Sequence, residues 1–326
     1  MKKILVTGAI GQIGSELILE LRRRYGHDNV IASDIRLPTE PGLLGDGPFE
    51  FVDVVVPQHI GRVVKQYHIG TIYHLAAILS ANGESKPHLA WDVNIHGLYN
   101  VLEVAREYGC ALFTPSSIAA FGKSTPPDGT PQDTLQRPDT MYGVTKVAGE
   151  LLCDYYFKRF GLDTRGLRFP GLISYVTEPG GGTTDYAVAI YYEAILHKRF
   201  TCNLRADTSL DMMYMPDALR AMIELMEADS SRLIHRNAFN VTAMHFTPSQ
   251  IAAEIRRHIP EFTIEYEIDQ VRQAIADSWP NSIDDSCARN EWGWKHEYEL
   301  PAMTDDMLRV LRKRLLGDKA GQPAAR

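Results

Sequence analysis

The sequence VTGAIGQIG, residues 6–14, places glycines three residues apart, at Gly8, Gly11 and Gly14. The preceding run KILVT (3–7) has the β-branched character of a buried strand, and Gln12–Tyr25 has the apolar spacing of a helix. The glycines permit a tight turn that a ligand can approach closely, and the free N–H groups that begin the helix attract a pyrophosphate. The stretch therefore predicts a dinucleotide-binding strand–turn–helix unit.

A carboxylate at the end of the next predicted strand supports this interpretation. Asp34 follows the strand NVIAS (29–33), 20 residues after Gly14. At that place a carboxylate accepts hydrogen bonds from both hydroxyls of an adenosine ribose and repels a 2′-phosphate. We therefore expect NAD rather than NADP, although Arg36 could turn toward such a phosphate. The alternative is a glycine turn followed by a solvated aspartate.

Strand and helix patterns alternate through the first half of the chain. Strands are predicted at FEFVDV (49–54), TIYHLAA (71–77), ALFTPSS (111–117) and DTRGLRF (163–169), and helices at Gln58–Gln66, His88–Tyr108 and Tyr142–Phe160. This alternation predicts an α/β fold with a doubly wound parallel sheet covered on both faces. We expect residues 1–170 to form the NAD-binding domain, with returning segments at about 208–258. Residues 171–207 and 259–316 would form a smaller C-terminal substrate lobe, and 317–326 a flexible tail.

Two starts of helices can be predicted in the returning segments. DMMYMPDALRAMIEL (211–225) indicates a strand followed by a helix that begins near Asp217. In TPSQ (247–250), a threonine precedes a proline at the first helical position and a glutamine two residues later. That order predicts a capping box at Thr247 and Gln250.

Composition excludes several classes of function. The chain has 326 residues, a formal net charge of −7 and 44% hydrophobic residues, and its charges are interspersed. Without a basic stripe, nucleic acid is not an expected partner. No apolar run has the length of a membrane span. Four cysteines without zinc-type spacing predict reduced thiols in the cytoplasm and no metal site.

A tyrosine and a lysine four residues apart carry the predicted chemistry. PSSIAAFG (115–122) ends a strand, and YGVTK (142–146) then places Tyr142 and Lys146 on one helical face. An ammonium about 5 Å from the phenol would lower its pKa by roughly two units, which makes Tyr142 a usable base near neutral pH. Ser117 would bond the same substrate oxygen. By itself, Tyr-x-x-x-Lys is common on helix surfaces; after a dinucleotide turn it indicates a catalytic pair.

Together these motifs resemble the extended, sugar-epimerase-like branch of the short-chain dehydrogenase/reductase superfamily, over nearly the whole chain. The resemblance implies that Tyr142 is the general base, that Lys146 holds the nicotinamide ribose and that Ser117 stabilises the reacting oxygen. It implies cofactor contacts at Gly8, Gly11, Gln12, Ile13, Gly14, Asp34, Ile35, Arg36, Asp53, Val54, Leu75, Ala76, Asn94, Tyr142, Lys146 and Leu172. Asn94 matches a position associated with a distorted helix; an ordinary polar position on a helix face is the alternative.

Three further stretches resemble the epimerase-like L-threonine 3-dehydrogenases. They are AAILSANGE (76–84), PGGGTTDYAV (179–188) and SWPNSIDDSCARNEWGW (278–294). This resemblance implies that substrate contacts come from Ser80, Ser117, Tyr142, Thr183, Thr184, Asp185 and Trp279.

The stretch PGGGTTDYAV suits a free amino acid. Glycine amides and threonine hydroxyls at a helix start supply donors for a carboxylate, and Asp185 an acceptor for an ammonium. We interpret it as a loop that closes over the substrate with its glycines as hinges. In the alternative interpretation, Asp185 caps its own helix and the threonines are solvated. Trp279 would shield the closed site or lie at the edge of the core.

The expected activity is NAD-dependent oxidation of L-threonine to L-2-amino-3-oxobutyrate. Two alternatives remain open: a nucleoside-diphosphate-sugar epimerase or dehydratase, for which Arg205 is a possible pyrophosphate anchor, and a non-enzymatic redox sensor. The resemblance also implies a homodimer formed through the helices His88–Tyr108 and Tyr142–Phe160. In the first helix, Leu98, Val101, Leu102 and Ala105 suit either that interface or a stripe facing the sheet.

Overall fold

A computed structural model describes residues 2–38, 42, 44–176 and 182–317. Two predicted features therefore fall largely or partly outside the described residues, namely the tail at 317–326 and the start of the glycine stretch at 179–181. The described residues confirm the predicted fold class. A central sheet of seven parallel strands is covered by helices on both faces.

The strands of the central sheet follow the predicted runs. Their spatial order is β10-β6-β5-β4-β1-β2-β3, which reverses direction between β4 and β1. They span Lys3–Thr7 (β1), Val30–Asp34 (β2), Phe49–Phe51 (β3), Ile69–His74 (β4), Ala111–Ser117 (β5), Thr164–Phe169 (β6) and Phe239–Asn240 (β10). In such sheets, ligands bind beyond the carboxyl ends of the strands, where the order reverses.

Smaller sheets carry the remaining strands. One has the order β11-β9-β7, from Gly171–Ile173 (β7), Leu210–Tyr214 (β9) and Met244–Phe246 (β11). The other pairs Arg199–Cys202 (β8) with Thr263–Tyr266 (β12).

Most helices follow the predicted patterns, whereas those at Ser80–Ser85, Gln270–Ala276, Ser286–Trp292 and Leu300–Leu316 were not predicted. The helices span Gln12–Tyr25 (α1), Pro57–Tyr67 (α2), Ser80–Ser85 (α3), Pro87–Trp91 (α4), Gly97–Tyr108 (α5), Met141–Phe160 (α6), Tyr186–His197 (α7), Met215–Glu227 (α8), Pro248–His258 (α9), Gln270–Ala276 (α10), Ser286–Trp292 (α11) and Leu300–Leu316 (α12). A π-helical turn, Asp92–His96, joins α4 to α5. The predicted helix His88–Tyr108 is therefore continuous but distorted.

Three apolar clusters hold these elements together. On one face of the sheet, α1 and α8 pack against strands β1, β2 and β6. On the other face, α2, α5 and α6 bury their apolar sides. The stripe Leu98, Val101, Leu102 and Ala105 belongs to this second cluster, so it faces the sheet. The third cluster joins α7, α9 and α12 to the smaller sheets.

The structure contains both helices whose starts were predicted in the returning segments. The Thr247 hydroxyl accepts a hydrogen bond from the Gln250 N–H, and Gln250 Oε1 accepts one from the Thr247 N–H, which confirms the capping box. The helix predicted to begin near Asp217 begins at Met215, two residues earlier, and Pro216 fits its first turn. Asp217 instead lies buried and accepts backbone hydrogen bonds from Glu297 and Tyr298.

Among the described residues, no helix has the length and apolar character needed to cross a membrane. All four cysteines are free; Cys110, Cys153 and Cys202 are buried and Cys287 is half-buried.

Two helical glycines give a matched test of the packing. A Cβ on Gly14 would lie 2.2 Å from the Gly8 carbonyl oxygen, whereas a Cβ on Gly61 in α2 would meet nothing within 4 Å. We predict that Gly14→Ala lowers the free energy of unfolding by about 1–3 kcal/mol through overpacking. Gly61→Ala should raise it by about 0.5–1 kcal/mol, because alanine loses less backbone entropy in a helix. Urea unfolding checks both values, and equal effects of the two substitutions would contradict the argument.

Candidate active site

A cleft of about 430 Å³ lies beyond the carboxyl ends of β1, β4 and β5, between the central sheet and residues 182–185. It is lined by fourteen of the predicted site residues: Gly11, Gln12, Ile13, Arg36, Leu75, Ser80, Ser117, Tyr142, Lys146, Leu172, Thr183, Thr184, Asp185 and Trp279. The fold thus brings part of the predicted cofactor turn, the predicted catalytic pair and all seven predicted substrate contacts to one cavity. The other eight predicted residues, Gly8, Gly14, Asp34, Ile35, Asp53, Val54, Ala76 and Asn94, do not line it.

The glycine turn leaves its backbone open because no side chain fits there. Gly8 has a φ of +71°, and a Cβ on it would lie 2.7 Å from the Ala76 nitrogen. The Gly11 N–H donates to the Gly8 carbonyl over 3.1 Å, which closes the turn before α1 begins. Gly8, Gly14 and Ala76 therefore shape the turn from behind. This narrow cradle at a helix N-terminus fits the pyrophosphate of a dinucleotide.

Asp34 does not line the cleft but is hydrogen-bonded to the glycine turn. Its carboxylate accepts hydrogen bonds from the Ile10 N–H over 3.1 Å and from the backbone N–H and Nε of Arg36 over 3.1 and 3.3 Å. The Arg36 side chain is 63% exposed and borders the cleft, whereas Asp34 is only 6% exposed. The carboxylate therefore binds an arginine that borders the cleft.

Two of the other predicted contacts that do not line the cleft have local roles at the end of β3. Val54 is buried beneath Gly97 of α5, and its carbonyl accepts a hydrogen bond from Asn100 Nδ2 over 3.0 Å. Asp53 accepts a hydrogen bond from the Val55 N–H over 3.0 Å. Ile35 is exposed at the end of β2.

Asn94 fixes the loop after β4 from within the π-helical turn. Its Oδ1 accepts the Ile78 N–H over 2.7 Å, and its Nδ2 donates to the Ile78 carbonyl over 3.0 Å and to Thr145 Oγ1 over 3.1 Å. The extra residue of a π-helical turn re-aims side chains at functional sites. Asn94 is therefore more than an ordinary polar residue on a helix face: it positions the segment that carries Leu75 and Ser80.

Close backbone packing places Tyr142 beside Ser117. The Thr140 hydroxyl accepts the Gly143 N–H over 3.1 Å and caps α6, and a Cβ on Gly143 would lie 2.2 Å from the Ala119 carbonyl oxygen. The first turn of α6 therefore packs directly on the end of β5. There the Ser117 side chain hydrogen-bonds Tyr142, and Lys146 Nζ lies 5.2 Å from the centre of the Tyr142 ring.

The electrostatics of this pair differ from the sequence prediction. Loss of hydration raises the pKa of Tyr142 to about 12, against a smaller opposing effect of Ser117. Burial also lowers the pKa of Lys146 to about 8. The net shift of the tyrosine pKa is therefore opposite to the predicted lowering, because desolvation of the phenolate is the largest effect. Lys146 Nζ donates instead to the Pro115 carbonyl over 2.7 Å.

Glu150, one helical turn after Lys146, was not predicted from the sequence. Its carboxylate binds Arg168 through two hydrogen bonds of 3.0 and 2.8 Å, accepts Gln136 Nε2 over 2.8 Å and accepts the Ser116 hydroxyl. The negative charge of Glu150 raises the pKa of Lys146 against burial. A signal was present, since Glu150 follows Lys146 by four residues, but its partner in β6 is distant in sequence.

The described part of the glycine stretch is firmly held. The Gly182 N–H donates to Asp185 Oδ2 over 2.7 Å, and Arg272 Nη1 donates to the Gly182 carbonyl over 3.1 Å. Thr183 is buried, and the methyl group of Thr184 packs against Gly171. Gly182 is thus fixed at both its polar groups, while the hinges predicted at Gly180 and Gly181 lie outside the described residues.

Several cleft residues were missed. Ile10, Ala77, Leu79, Asn82, Pro115, Ser116, Ile118, Phe169, Pro170, Gly171 and Gly182 also line the cavity. Asn82 and Glu84 follow Ser80 in α3, and Glu84 Oε1 accepts the Met141 N–H over 2.6 Å, which caps α6 from outside. Trp279 packs against both Ile118 and the C-terminal core, so its two predicted roles coincide.

Arg205, the possible pyrophosphate anchor of an epimerase, lies elsewhere. Its guanidinium donates to both carboxylate oxygens of Asp277, over 3.2 and 2.7 Å, and it does not line the cleft. Among the described residues that do line it, the only arginine and lysine are Arg36 and Lys146.

Comparison with known proteins identifies the family of the chain. The model of the NAD dependent epimerase/dehydratase family matches residues 4–241. An uncharacterized epimerase/dehydratase of Staphylococcus haemolyticus is 56% identical over 314 residues, which cover 96% of this chain and 99% of that protein.

Two solved structures extend the likeness. An L-threonine dehydrogenase from Clostridium difficile is 59% identical, with a TM-score of 0.95 over 96% of this chain and 98% of that chain. A monomeric L-threonine 3-dehydrogenase from a metagenome, in its apo form, is 46% identical, with a TM-score of 0.91 over 97% and 100% of the two chains.

The network around Glu150 yields a prediction that needs no substrate. Glu150→Gln removes the negative charge that favours the Lys146 ammonium, so the pKa of Lys146 should fall below about 8 by roughly one further unit. The pKa of Lys146 is measured as the midpoint of the pH dependence of its modification by an amine-reactive reagent, followed by mass spectrometry. Glu107→Gln, on the exposed side of α5, is the control and should leave it unchanged. An unaltered midpoint in Glu150→Gln would show that the carboxylate does not act on the lysine.

Proposed function

Because the chain belongs to the NAD dependent epimerase/dehydratase family, we propose that it is an L-threonine 3-dehydrogenase with NAD as its cofactor. The reaction would convert L-threonine to L-2-amino-3-oxobutyrate. One observation carries the proposal: Tyr142, Lys146 and Ser117 share a single cleft with Ser80, Thr183, Asp185 and Trp279. Similarity to the Clostridium difficile L-threonine dehydrogenase across nearly the whole chain supports it.

The residues present fit a dinucleotide. The cradle of Gly8, Gly11 and Gly14 would hold the pyrophosphate, Asp34 the adenosine ribose and Lys146 the nicotinamide ribose. The bound cofactor would supply a hydride acceptor. We interpret Arg36 as neutralised by Asp34, which accepts its Nε–H over 3.3 Å.

The catalytic role of Tyr142 follows from its position. The phenolate would accept the proton of the threonine hydroxyl while the hydride leaves the same carbon. Ser117, already hydrogen-bonded to Tyr142, would donate to the reacting oxygen. The negative charge of Glu150 favours the ammonium form of Lys146. This ammonium would stabilise the phenolate as it forms. Desolvation makes this stabilisation stronger than it would be in water.

The distribution of charge favours an amino acid over a sugar nucleotide. A nucleoside diphosphate substrate brings a second pyrophosphate, which cations normally bind. Arg36 and Lys146, the only arginine and lysine among the described cleft residues, both lie on the cofactor side, and Arg205 is paired with Asp277 elsewhere. The epimerase or dehydratase remains the second candidate, since the Staphylococcus haemolyticus relative carries that name. The retained catalytic pair argues against a redox sensor without activity.

We also propose a homodimer in the cytoplasm. With the stripe of α5 turned toward the sheet, the opposite sides of α4, α5 and α6 expose large apolar residues, namely Trp91, Tyr99, Tyr108, Leu151, Tyr155 and Phe160. Such a patch favours association with a second copy. The metagenome enzyme of the same fold is described by its name as monomeric, so the solution mass decides the state of this chain.

The first prediction of this proposal is catalytic. The protein should reduce NAD with L-threonine, followed as NADH absorbance, and should be inactive with other amino acids and sugar nucleotides. Tyr142→Phe should lose nearly all turnover, by about 10²–10⁴-fold, while it still binds NAD, because only the proton acceptor is removed. Substantial turnover in Tyr142→Phe would mean that another group is the base. Turnover of a sugar nucleotide without net NADH would favour the second candidate.

The second prediction concerns the choice of cofactor. Asp34→Ala removes the charge that repels a 2′-phosphate and releases Arg36, which it now binds. The ratio of kcat/KM with NAD to that with NADP should therefore be large in the parent and fall in Asp34→Ala. Asp28→Ala, which replaces an exposed aspartate that does not line the cleft, is the control. Equal efficiency of the parent with both cofactors would refute the assignment of Asp34.

The third prediction concerns Asp185. Asp185→Asn keeps an acceptor for the Gly182 N–H but removes the charge that would face the substrate ammonium. We expect kcat/KM for threonine to fall by an amount that corresponds to a loss of about 2–3 kcal/mol of transition-state stabilisation, with NAD affinity almost unchanged. Thr183→Ala should act in the same direction but more weakly. Threonine kinetics identical to the parent would return Asp185 to the role of a helix cap, since asparagine caps equally well.

A further inference from the structure

A second cluster of chemically active side chains lies outside the cleft. It forms where α11 meets the residues before β10 and the loop after β5. A ring nitrogen of His235, the sulfur of Cys287 and a carboxylate oxygen of Glu291 all lie within 4.8 Å of one another. None of these residues lines the proposed active site.

The histidine of this cluster is held between two carboxylates. Its Nδ1 hydrogen-bonds Glu291 Oε1, and its Nε2 lies 3.4 Å from Asp133 Oδ2. Glu291 Oε2 accepts the backbone N–H groups of Ile234 and His235 over 2.5 and 3.1 Å. The ring is therefore fixed in orientation, as metal-binding imidazoles are by a neighbouring carboxylate.

The charge around the thiol is strongly negative. Burial, together with the carboxylates of Glu291, Asp284 and Asp133, raises the pKa of Cys287. Such a thiol is a poor nucleophile, which argues against a covalent catalytic role. The same charges attract a cation, and a cavity of about 380 Å³ lined by Asp133 and His235 lies beside them.

We propose that His235, through Nδ1, and Cys287 and Glu291 bind one divalent cation of the zinc type, while Asp133 orients the ring from Nε2. An imidazole nitrogen, a thiolate sulfur and a carboxylate oxygen are ligands that zinc takes, and a water fills the fourth position of sites with three protein ligands. Ligand atoms around such an ion are roughly 3–4 Å apart, so the cluster needs only small side-chain movements to close. On binding, the ion takes the place of the proton between His235 and Glu291, the neutral ring carries its proton on Nε2 beside Asp133, and the proton of the thiol is released to solvent.

The sequence could not reveal this site. His235, Cys287 and Asp133 belong to three separate segments, and the spacing of the cysteines predicts no metal. The fold joins these segments at one edge of the central sheet, because β10 begins four residues after His235 and α11 packs against β10. A bound ion would therefore link the residues before β10 to α11.

Thiol reactivity tests the site directly, because Cys287 is the only cysteine of the chain that is not buried. In full-length protein freed of metal by a chelator, a thiol reagent should modify Cys287 before the three buried cysteines. One equivalent of Zn²⁺ should slow that reaction, whereas Mg²⁺, which prefers oxygen ligands, should not. In His235→Gln and Glu291→Gln, the Zn²⁺ concentration needed for this protection should rise about 10–100-fold. His245→Gln, an exposed histidine on β11, is the matched control and should retain it.

A second measurement keeps the proposal testable if a variant folds poorly. Co²⁺ added to the parent protein should give the absorption of a thiolate bound to a tetrahedral ion, and Cys287→Ser should lose it. Saturation near one equivalent supports the site. Reactivity of Cys287 that Zn²⁺ leaves unchanged, or protection that persists in His235→Gln, would overturn the proposal.

Discussion

The desolvation of Tyr142 and Lys146 is the constraint on which the rest of the site depends. Both groups lie half-buried at the floor of the cleft, where burial raises the pKa of the phenol to about 12 and lowers that of the ammonium to about 8. A phenol in such surroundings gives up its proton only if a positive charge is fixed beside it. The negative charge of Glu150 helps to keep that positive charge on Lys146.

The same packing that removes water also sets the geometry. Gly143 lets the first turn of α6 approach the Ala119 carbonyl, and Gly8 lets the turn between β1 and α1 approach Ala76. These two close approaches bring the catalytic helix and the dinucleotide turn to the carboxyl edge of one sheet. Residues 182–185 close the cavity from the other side, and Arg272 and Asp185 hold Gly182 there.

Local patterns in the sequence were sufficient for six strands of the central sheet and most helices, and fourteen predicted site residues line the cleft. The glycine turn, the Tyr142–Lys146 pair and the capping box at Thr247 are local motifs whose physical meaning does not depend on distant residues. Features that depend on distant partners could not be predicted. They include the Glu150–Arg168 ion pair, the cluster at His235 and the buried environment that reverses the expected pKa shift of Tyr142.

The central claim is that the hydride removed from the threonine side chain leaves the carbon whose hydroxyl Tyr142 deprotonates. L-threonine deuterated at C3 tests it directly, with NAD as the acceptor and mass spectrometry of the reduced cofactor as the readout. The account predicts one deuterium in each molecule of NADH formed and none in the aminooxobutyrate at that carbon. NADH without deuterium, or no reduced cofactor at all, would contradict it.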